Sequence, residues 1–229
     1  MADPRFIPVA DHALLVEFAT EISDAANAAV RALDRALAAD PPKGLREVVP
    51  AFVNLLVDFD PDLTDHSTVE AAVRGRLSIP ATKAPAATTR VVEVCYDPDL
   101  ARDLAAVAAA TGLEDEAVIK AHLAGDYRVF MYGFAPGYAY LAGVPPAIRV
   151  PRKPAPLRGI TAGSVLIAGP QCLVTTLTMP TGWSIIGRSP TQILCDDPAR
   201  PFLFDVGDRV SFKRIDRATF ERAQKVGQP

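Results

Sequence analysis

The side chains best suited to bind a small polar molecule are concentrated between residues 129 and 190. Glycine and proline are frequent there, and they fix unusual backbone angles in loops. Tyrosine and tryptophan are frequent too, and each combines apolar area with one hydrogen-bond donor. Binding residues tend to lie on loops that a rigid scaffold holds, so we expect these loops to form the wall of a pocket.

Two segments, GFAPGYAYLAG and PTGWSIIG, supply six candidates for that wall: Phe134, Pro136, Gly137, Tyr138, Tyr140 and Trp183. We expect Tyr138 and Tyr140 to bind substrate, and the other four to line the pocket or an interface. The alternative for each is a tight turn between strands with the aromatic rings in the core. For Trp183, the only tryptophan, a core or interface position is favoured over a stacking platform.

Basic and amide side chains lie close to these aromatic residues in the sequence. Arg152 and Lys153 belong to the proline-rich turn PRKPAP, and Arg188 follows the apolar run WSIIG. The guanidinium group suits bidentate recognition of a carboxylate. With Gln171, which follows the turn IAGP, these residues predict an anion-binding surface for substrate. The alternative is a solvated basic turn.

No residue is identified as catalytic from its spacing alone. The chain lacks a phosphate-binding GxxxxGK[ST] loop, a GxSxG elbow, an HExxH motif and a dinucleotide fingerprint. His122 is the one candidate for acid–base catalysis, since the pKa of histidine is ordinarily near neutrality. The alternative is a histidine that interacts with the end of a helix. The three histidines are far apart in sequence, so no metal site is expected.

Composition restricts the class of protein. The chain has 229 residues, a net charge of −3 and 49% hydrophobic residues, which is globular composition without the basic excess of a nucleic-acid-binding protein. No apolar run approaches the ~18 residues of a membrane span, and the N-terminus does not resemble a signal peptide. Three cysteines without CxxC spacing argue against a disulfide framework. We expect a cytoplasmic protein.

The first part of the chain predicts a small α/β domain at residues 1–84. Apolar residues recur every three or four positions from Ile22 to Leu37, which indicates a helix between strands at 13–18 and 53–59. A short strand is expected at 46–49, and a second helix from Ser67, which has capping-box spacing to Glu70. This order of strand, helix, strand, strand and helix is most of a split β-α-β unit, the ferredoxin-like arrangement.

The rest of the chain predicts a second domain, at 85–217, after a linker at 79–89. The strand 90–96 either completes the first sheet or opens this domain. Helices are expected from Asp97 to Gly112 and over about 114–124. Seven short strand-like runs then follow, which is typical of a β-barrel or sandwich. Residues 218–229 read as a polar tail with a frayed helix, and the fold class is α+β.

Four blocks in this order resemble the signature of the KipI/allophanate hydrolase subunit 1 family, which includes the B-type subunits of 5-oxoprolinase: GFAPGYAYLAG, PRKPAP, AGSVLIAGPQ and PTGWSIIGRSP. With three further segments, the resemblance covers residues 5–215. It implies a ferredoxin-like N-terminal domain and a cyclophilin-like β-barrel. The loop around Tyr138 and the segment Thr181-Gly182 depart from the family's commonest pattern, which predicts an altered pocket wall.

The resemblance also implies an activity and partners. The chain would be a subunit of an ATP-dependent 5-oxoprolinase complex, with a KipA-like subunit 2 protein and a LamB/YcsF-type protein as partners. The complex would use ATP, this chain would bind no cofactor itself, and it would be inactive alone. One alternative is half of a biotin-dependent carboxyltransferase of the urea or allophanate type. A second is a KipI-type inhibitor of a histidine kinase.

Overall fold

The computed structural model describes residues 3–78 and 86–226. The chain divides into two compact units, Met1–Ala86 and Ala87–Pro229. Each has its own hydrophobic core, one around Leu14, Leu55 and Phe59, the other around Tyr127, Leu141 and Ile167. Most of the linker predicted at 79–89 lies outside the described residues, and Thr89 already belongs to a strand.

The first unit is a four-stranded antiparallel sheet with two helices. Its elements, in chain order, are β1 (Arg5–Val9), β2 (Ala13–Glu17), α1 (Asp24–Ala39), β3 (Leu45–Pro50), β4 (Asn54–Phe59) and α2 (His66–Leu77). The strand order in the sheet is β1-β2-β4-β3.

The sequence pattern predicts most of these elements because their apolar positions are periodic. In α1 the predicted stripe is buried, with Val30 and Leu37 fully inaccessible to solvent. In β4, Leu55, Val57 and Phe59 share the buried face, as period-two alternation requires. The predicted start of α2 at Ser67 is wrong by one residue. Asp65 is its N-cap, and its carboxylate accepts a hydrogen bond from the Thr68 N–H at 2.8 Å.

The strand β1 has no counterpart in the sequence-based prediction. It contains Pro8 and is mostly exposed, so it lacks the apolar alternation that marks a strand. It pairs with β2 from Arg5–Glu17 to Val9–Ala13 and forms one edge of the sheet. The fourth strand of this sheet therefore comes from the N-terminus, and the strand predicted at 90–96 belongs to the second unit.

The second unit is built on a seven-stranded sheet and a two-stranded ribbon. Its elements are β5 (Thr89–Val94), α3 (Leu104–Thr111), α4 (Asp115–Leu123), β6 (Tyr127–Tyr132), β7 (Ala139–Ala142), a 3-10 turn (Pro146–Ile148), β8 (Leu157–Ile160), β9 (Ser164–Ala168), β10 (Gln171–Val174), β11 (Met179–Thr181), β12 (Ser184–Arg188), β13 (Arg209–Arg214) and α5 (Arg217–Val226). The strand order of the large sheet is β12-β9-β10-β7-β6-β13-β5, and β11 pairs with β8 in the ribbon.

The large sheet closes almost completely into a barrel. Cys95, just after β5, and Arg188, at the end of β12, join the two edge strands. Each donates its backbone N–H to the other's carbonyl, at 2.8 and 2.9 Å. The predicted barrel or sandwich is therefore a nearly closed barrel. Two of the seven strand-like runs in the sequence, QILC at 192–195 and FLF at 202–204, contribute only an isolated bridge between Leu194 and Phe202.

The start of α3 differs from the prediction. The segment from Asp97 to Asp103 forms turns, and α3 begins only at Leu104. The cause is tertiary: the Asp103 N–H donates to the Ile185 carbonyl of β12 at 2.8 Å, which attaches this segment to the barrel.

The helix expected in the polar C-terminal tail is present as α5. The tail is not wholly solvated, however, because the Phe220 side chain is buried against Cys95 and Ile215. One apolar residue in a polar run gives little periodic signal, so the sequence did not indicate this packing. In the part of the chain that the structure describes, no helix is long and apolar enough to cross a membrane.

Candidate functional site

A cavity of about 260 Å³ opens on the barrel unit where the loop before β7 meets the turns flanking β8 and β11. It is smaller than the about 300–1,000 Å³ of typical drug-sized sites, so it suits a small metabolite. Ten residues line it: Phe134, Tyr138, Tyr140, Arg152, Pro156, Leu173, Pro180, Thr181, Gly182 and Trp183.

Four aromatic side chains form one continuous wall of the cavity. The ring centroids of Phe134 and Tyr138 are 5.5 Å apart, and those of Tyr138 and Tyr140 are 5.7 Å apart. Tyr140 meets Trp183 edge to face at 5.9 Å. Tyr138 immediately precedes β7 and Tyr140 is its second residue, so the extended backbone places both rings on one face. These four residues lie up to 49 positions apart in sequence, and the folding of the barrel brings them together.

The loop from Gly133 to Tyr138 controls the rim of the cavity. Phe134 has a φ of +73° and is 72% exposed, which is a strained, open position for an aromatic residue. Gly137 has a φ of +68°, and a Cβ there would lie 2.7 Å from Leu194 Cδ2. Pro136 is exposed, and its carbonyl accepts a hydrogen bond from the Thr176 hydroxyl at 2.8 Å. Pro136 and Gly137 therefore shape the rim and do not line the cavity.

The cavity presents a positive charge and hydrogen-bond donors. The Arg152 guanidinium carbon lies 5.7 Å from the centroid of the Trp183 ring, which holds the cation by its π-face. Among the described residues no carboxylate forms an ion pair with Arg152, so its charge is available to a ligand. Burial, followed by the neighbouring Tyr140, raises the pKa of Tyr138 to about 12. Burial also raises the pKa of Tyr140, so both phenols keep their protons at neutral pH.

Lys153, predicted to bind substrate, is instead anchored behind the wall. Its Nζ donates to the Asp103 carboxylate and, at 3.2 Å, to the Trp183 carbonyl. Its backbone N–H donates to the Gly182 carbonyl at 2.7 Å. Asp103 in turn accepts a hydrogen bond from the Ile185 N–H at 2.8 Å. The ion pair thus holds the two lining turns together, and Lys153 positions Trp183.

Sequence reasoning missed Asp103 because it lies 50 residues from Lys153 in the chain. It reads only as a polar residue at the start of a helix. Sequence reasoning also did not assign a binding role to five lining residues, Pro156, Leu173, Pro180, Thr181 and Gly182. Four of these lie inside the segments PRKPAP and PTGW, so the sequence marked their segments but not their roles.

Two other predicted substrate ligands lie elsewhere. Gln171 is the first residue of β10, where it pairs with Ala142 and Ala168, and it is not among the lining residues. Arg188 ends β12 and lines two different clefts. The structure therefore brings Tyr138, Tyr140 and Arg152 together in one cavity and separates Gln171 and Arg188 from them.

His122 lies in the core of the barrel unit and is inaccessible to solvent. Its Nδ1 is 2.7 Å from the Tyr96 hydroxyl, and its Nε2 is 3.6 Å from the Cys172 Sγ. The Phe212 ring packs against it with centroids 4.4 Å apart. Burial lowers the pKa of His122 to about 3, so the ring is neutral. It does not line the cavity, and the geometry supports the structural alternative and not acid–base catalysis.

The sequence of the chain matches the carboxyltransferase domain, subdomain C and D, over residues 4–204. That match covers well over half of the chain and includes every lining residue of the cavity.

The chain belongs to the carboxyltransferase C/D family.

Other members and structural neighbours agree with this assignment. The B-type subunit of 5-oxoprolinase from Bacillus subtilis (strain 168) is 35% identical over 222 residues, which is 92% of each chain. The crystal structure of TTHA0988 matches with a TM-score of 0.76 and 36% identity, over 90% of this chain and 40% of that longer chain. The Kluyveromyces lactis urea carboxylase matches with a TM-score of 0.79 and 15% identity, over 96% of this chain and 22% of that longer chain. At this low identity the match shows a shared fold alone.

Proposed function

We propose that this chain is the B-type subunit of a 5-oxoprolinase complex, which converts 5-oxo-L-proline to L-glutamate with the use of ATP. The support from sequence is the name of its relatives: three curated proteins similar to it are named as B-type subunits of 5-oxoprolinase. A hydrolase complex subunit is the coarser statement that these names support. The substrate, the ATP dependence and the partners are part of the proposal.

The observation that carries the proposal is the position of the Arg152 guanidinium over the Trp183 ring at the mouth of a small aromatic cavity. Within the described part of the chain this guanidinium has no carboxylate partner. 5-Oxoproline has one carboxylate and a compact five-membered lactam ring. The carboxylate matches the guanidinium, and the ring matches the apolar faces of Tyr140 and Trp183. The phenol of Tyr138 is protonated at neutral pH and can donate to the lactam oxygen.

The reaction requires water to add to the lactam carbon, the C–N bond to break, and the nitrogen to leave as the amine of glutamate. An unstrained lactam resists this attack, so its oxygen must be activated, which is the step that ATP drives. The described residues of the cavity offer binding groups but no carboxylate or histidine that could serve as a base. We therefore propose that a partner supplies the catalytic groups and that this chain alone is inactive.

The proposed partners are a KipA-like subunit 2 protein and a LamB/YcsF-type protein, in a cytoplasmic hetero-oligomer. The exposed Phe134 at the rim is a suitable contact for subunit 2, since it presents apolar area beside the cavity. The proposal also includes the finer fold assignment, a ferredoxin-like unit followed by a cyclophilin-like barrel. In the first unit β1 would occupy the edge position that the last strand of a ferredoxin-like fold usually takes.

The test is reconstitution of the complex from purified subunits with an assay of ATP-dependent glutamate release from 5-oxo-L-proline. Arg152→Gln is expected to raise KM at least about tenfold with little change in kcat, since one charge-assisted hydrogen bond contributes about 1.5–3 kcal/mol. Arg158→Gln is the matched control, because Arg158 is exposed on β8 and does not line the cavity.

Three results would contradict different parts of the proposal. If the wild-type complex released no glutamate, the assigned reaction would be wrong. If the complex were active but Arg152→Gln left KM unchanged, the reaction would stand and this cavity would not bind the carboxylate. Glutamate release by the chain alone would contradict a site shared with a partner.

A second candidate is half of a biotin-dependent carboxyltransferase, with carboxybiotin docking at the same cavity. The carboxyltransferase family description favours it. Incorporation of labelled bicarbonate into urea, in the presence of a biotin carboxylase and a biotin carrier, would establish this activity and displace the first proposal. No described feature favours the third alternative, inhibition of a histidine kinase.

A further inference from the structure

A second cleft, of about 130 Å³, lies near the seam where the barrel closes. It is separate from the aromatic cavity: the two share no lining residue. Its floor includes Ile160, Ser164 and Ile185, and two arginine side chains, Arg102 and Arg188, stand at its walls.

The barrel brings these two arginines together across 86 residues of sequence. Arg188 is the last residue of β12 and is held by the backbone pair with Cys95. Arg102 precedes Asp103, whose N–H donates to the Ile185 carbonyl on the same strand. Backbone hydrogen bonds to β12 therefore fix Arg188 itself and the residue next to Arg102.

Among the described residues, no carboxylate forms an ion pair with the guanidinium of Arg102 or with that of Arg188. The Nε of Arg188 makes one long hydrogen bond, 3.4 Å, to the Ala162 carbonyl, and its guanidinium carbon lies 6.0 Å from the Phe220 ring centroid. Partial burial lowers the pKa of Arg188, yet arginine stays charged at neutral pH.

The one acidic residue that lines this cleft is already neutralised. Both carboxylate oxygens of Asp99 accept from the Arg217 Nη1, at 2.9 and 2.6 Å. Arg217 also binds Glu221 at 2.7 Å, which keeps its side chain on this side of α5. The cleft and this ion-pair network together carry one net positive charge, since Arg102, Arg188 and Arg217 face only Asp99 and Glu221, and Thr161 adds an exposed hydroxyl donor.

We propose that Arg102 and Arg188 form a binding site for a phosphate dianion at the seam of the barrel. Two guanidinium groups match a tetrahedral dianion better than a single carboxylate, since each can donate a forked pair of hydrogen bonds. The volume of the cleft suits inorganic phosphate or one terminal phosphoryl group. This site is independent of the aromatic cavity and of the reaction proposed above.

The experiment is isothermal titration calorimetry of the full chain with inorganic phosphate at low ionic strength, where exposed charges are least screened. One saturable site is expected in the wild type. Arg102→Gln and Arg188→Gln are each expected to weaken phosphate binding at least about tenfold, the effect of losing one charge-assisted contact. Arg102 is exposed, so Arg102→Gln should fold normally even if Arg188→Gln disturbs the packing on Phe220.

Arg158→Gln is the matched control, and it should bind phosphate like the wild type, because Arg158 lines neither the cleft nor the aromatic cavity. If ADP competes with phosphate, the terminal phosphate of a nucleotide is a second source of the ligand. If ADP does not compete, the site is specific for free phosphate. Both results support the site. Three results would overturn it: no saturable binding up to about 10 mM phosphate, equal weakening by Arg158→Gln, or equal affinity for glutamate.

Discussion

The ion pair between Asp103 and Lys153 offers a direct test of how the aromatic cavity is held. The carboxylate of Asp103 accepts hydrogen bonds from the Lys153 Nζ and the Ile185 N–H. Asp103→Asn keeps an acceptor for the Ile185 N–H but removes the negative charge. The Lys153 ammonium, which also contacts the Trp183 carbonyl, then lacks its counter-charge.

The size of the effect follows from the partial burial of the pair. Breaking a fully buried ion pair costs about 3–5 kcal/mol. The side chains of Lys153 and Asp103 are 22% and 13% exposed, so hydration recovers part of that cost. We expect Asp103→Asn to lower the free energy of unfolding by about 2 kcal/mol and Lys153→Met by about 1–2 kcal/mol. The double variant should be little worse than the worse single one, which gives a coupling energy of about 1–2 kcal/mol.

The assay is urea denaturation followed by tryptophan fluorescence. Trp183 is the only tryptophan, so its emission reports on the barrel unit and on the cavity itself. The pair Lys213–Glu93 is the matched control, because its N–O distance is 3.0 Å but its side chains are 63% and 33% exposed. Its coupling energy should be below about 0.5 kcal/mol.

The reasoning would be refuted by a particular pair of results. The first is a coupling energy between Asp103 and Lys153 no larger than that of the surface pair. The second is a KM for 5-oxoproline that rises with Lys153→Met but not with Asp103→Asn. Together they would return Lys153 to the role expected from the sequence, direct contact with substrate.

Three further predictions concern backbone strain and the buried histidine. Gly137→Ala should destabilise the barrel unit by about 2–3 kcal/mol in urea denaturation, because the new methyl group meets Leu194 and the backbone is left-handed. Gly112→Ala is the control: it has a φ of +69° but open space around it, so it should cost only about 1–2 kcal/mol. Phe134→Gly should relieve left-handed strain and raise stability by up to about 1 kcal/mol while weakening capture of subunit 2 in a pull-down. In the unfolded state His122 binds a proton below about pH 6.5, but in the folded state it stays neutral down to about pH 3. The free energy of unfolding should therefore fall by about 2 kcal/mol between pH 6.5 and pH 5. His122→Asn should remove that decrease.

Each of these has a result that would count against it. Equal losses for the two glycine variants would mean that the neighbour of Gly137 moves freely. An unchanged pull-down with Phe134→Gly would place the subunit 2 contact elsewhere. A pH dependence that His122→Asn leaves intact would assign the acid sensitivity to other groups.

The sequence predicted the elements whose apolar positions repeat. The stripe of α1 and the alternating face of β4 bury the residues expected, because periodicity alone determines which side of an element is apolar. It missed β1, which contains Pro8 and is mostly exposed, and the packing of Phe220 in α5, since neither has a periodic pattern. These elements are held by pairing and burial against distant residues.

The candidate site likewise has features that the sequence determines and features that only the tertiary structure determines. Residue types and loop composition determined that the barrel unit would carry an aromatic, donor-rich pocket, and Tyr138, Tyr140, Arg152 and Trp183 do line one. The tertiary structure decided which basic residue is available to a ligand. Lys153 is paired with Asp103 and Arg188 faces another cleft, while Arg152 lies over Trp183 without a carboxylate partner among the described residues. Sequence shows which charges exist, but only the closure of the barrel determines which of them find a partner.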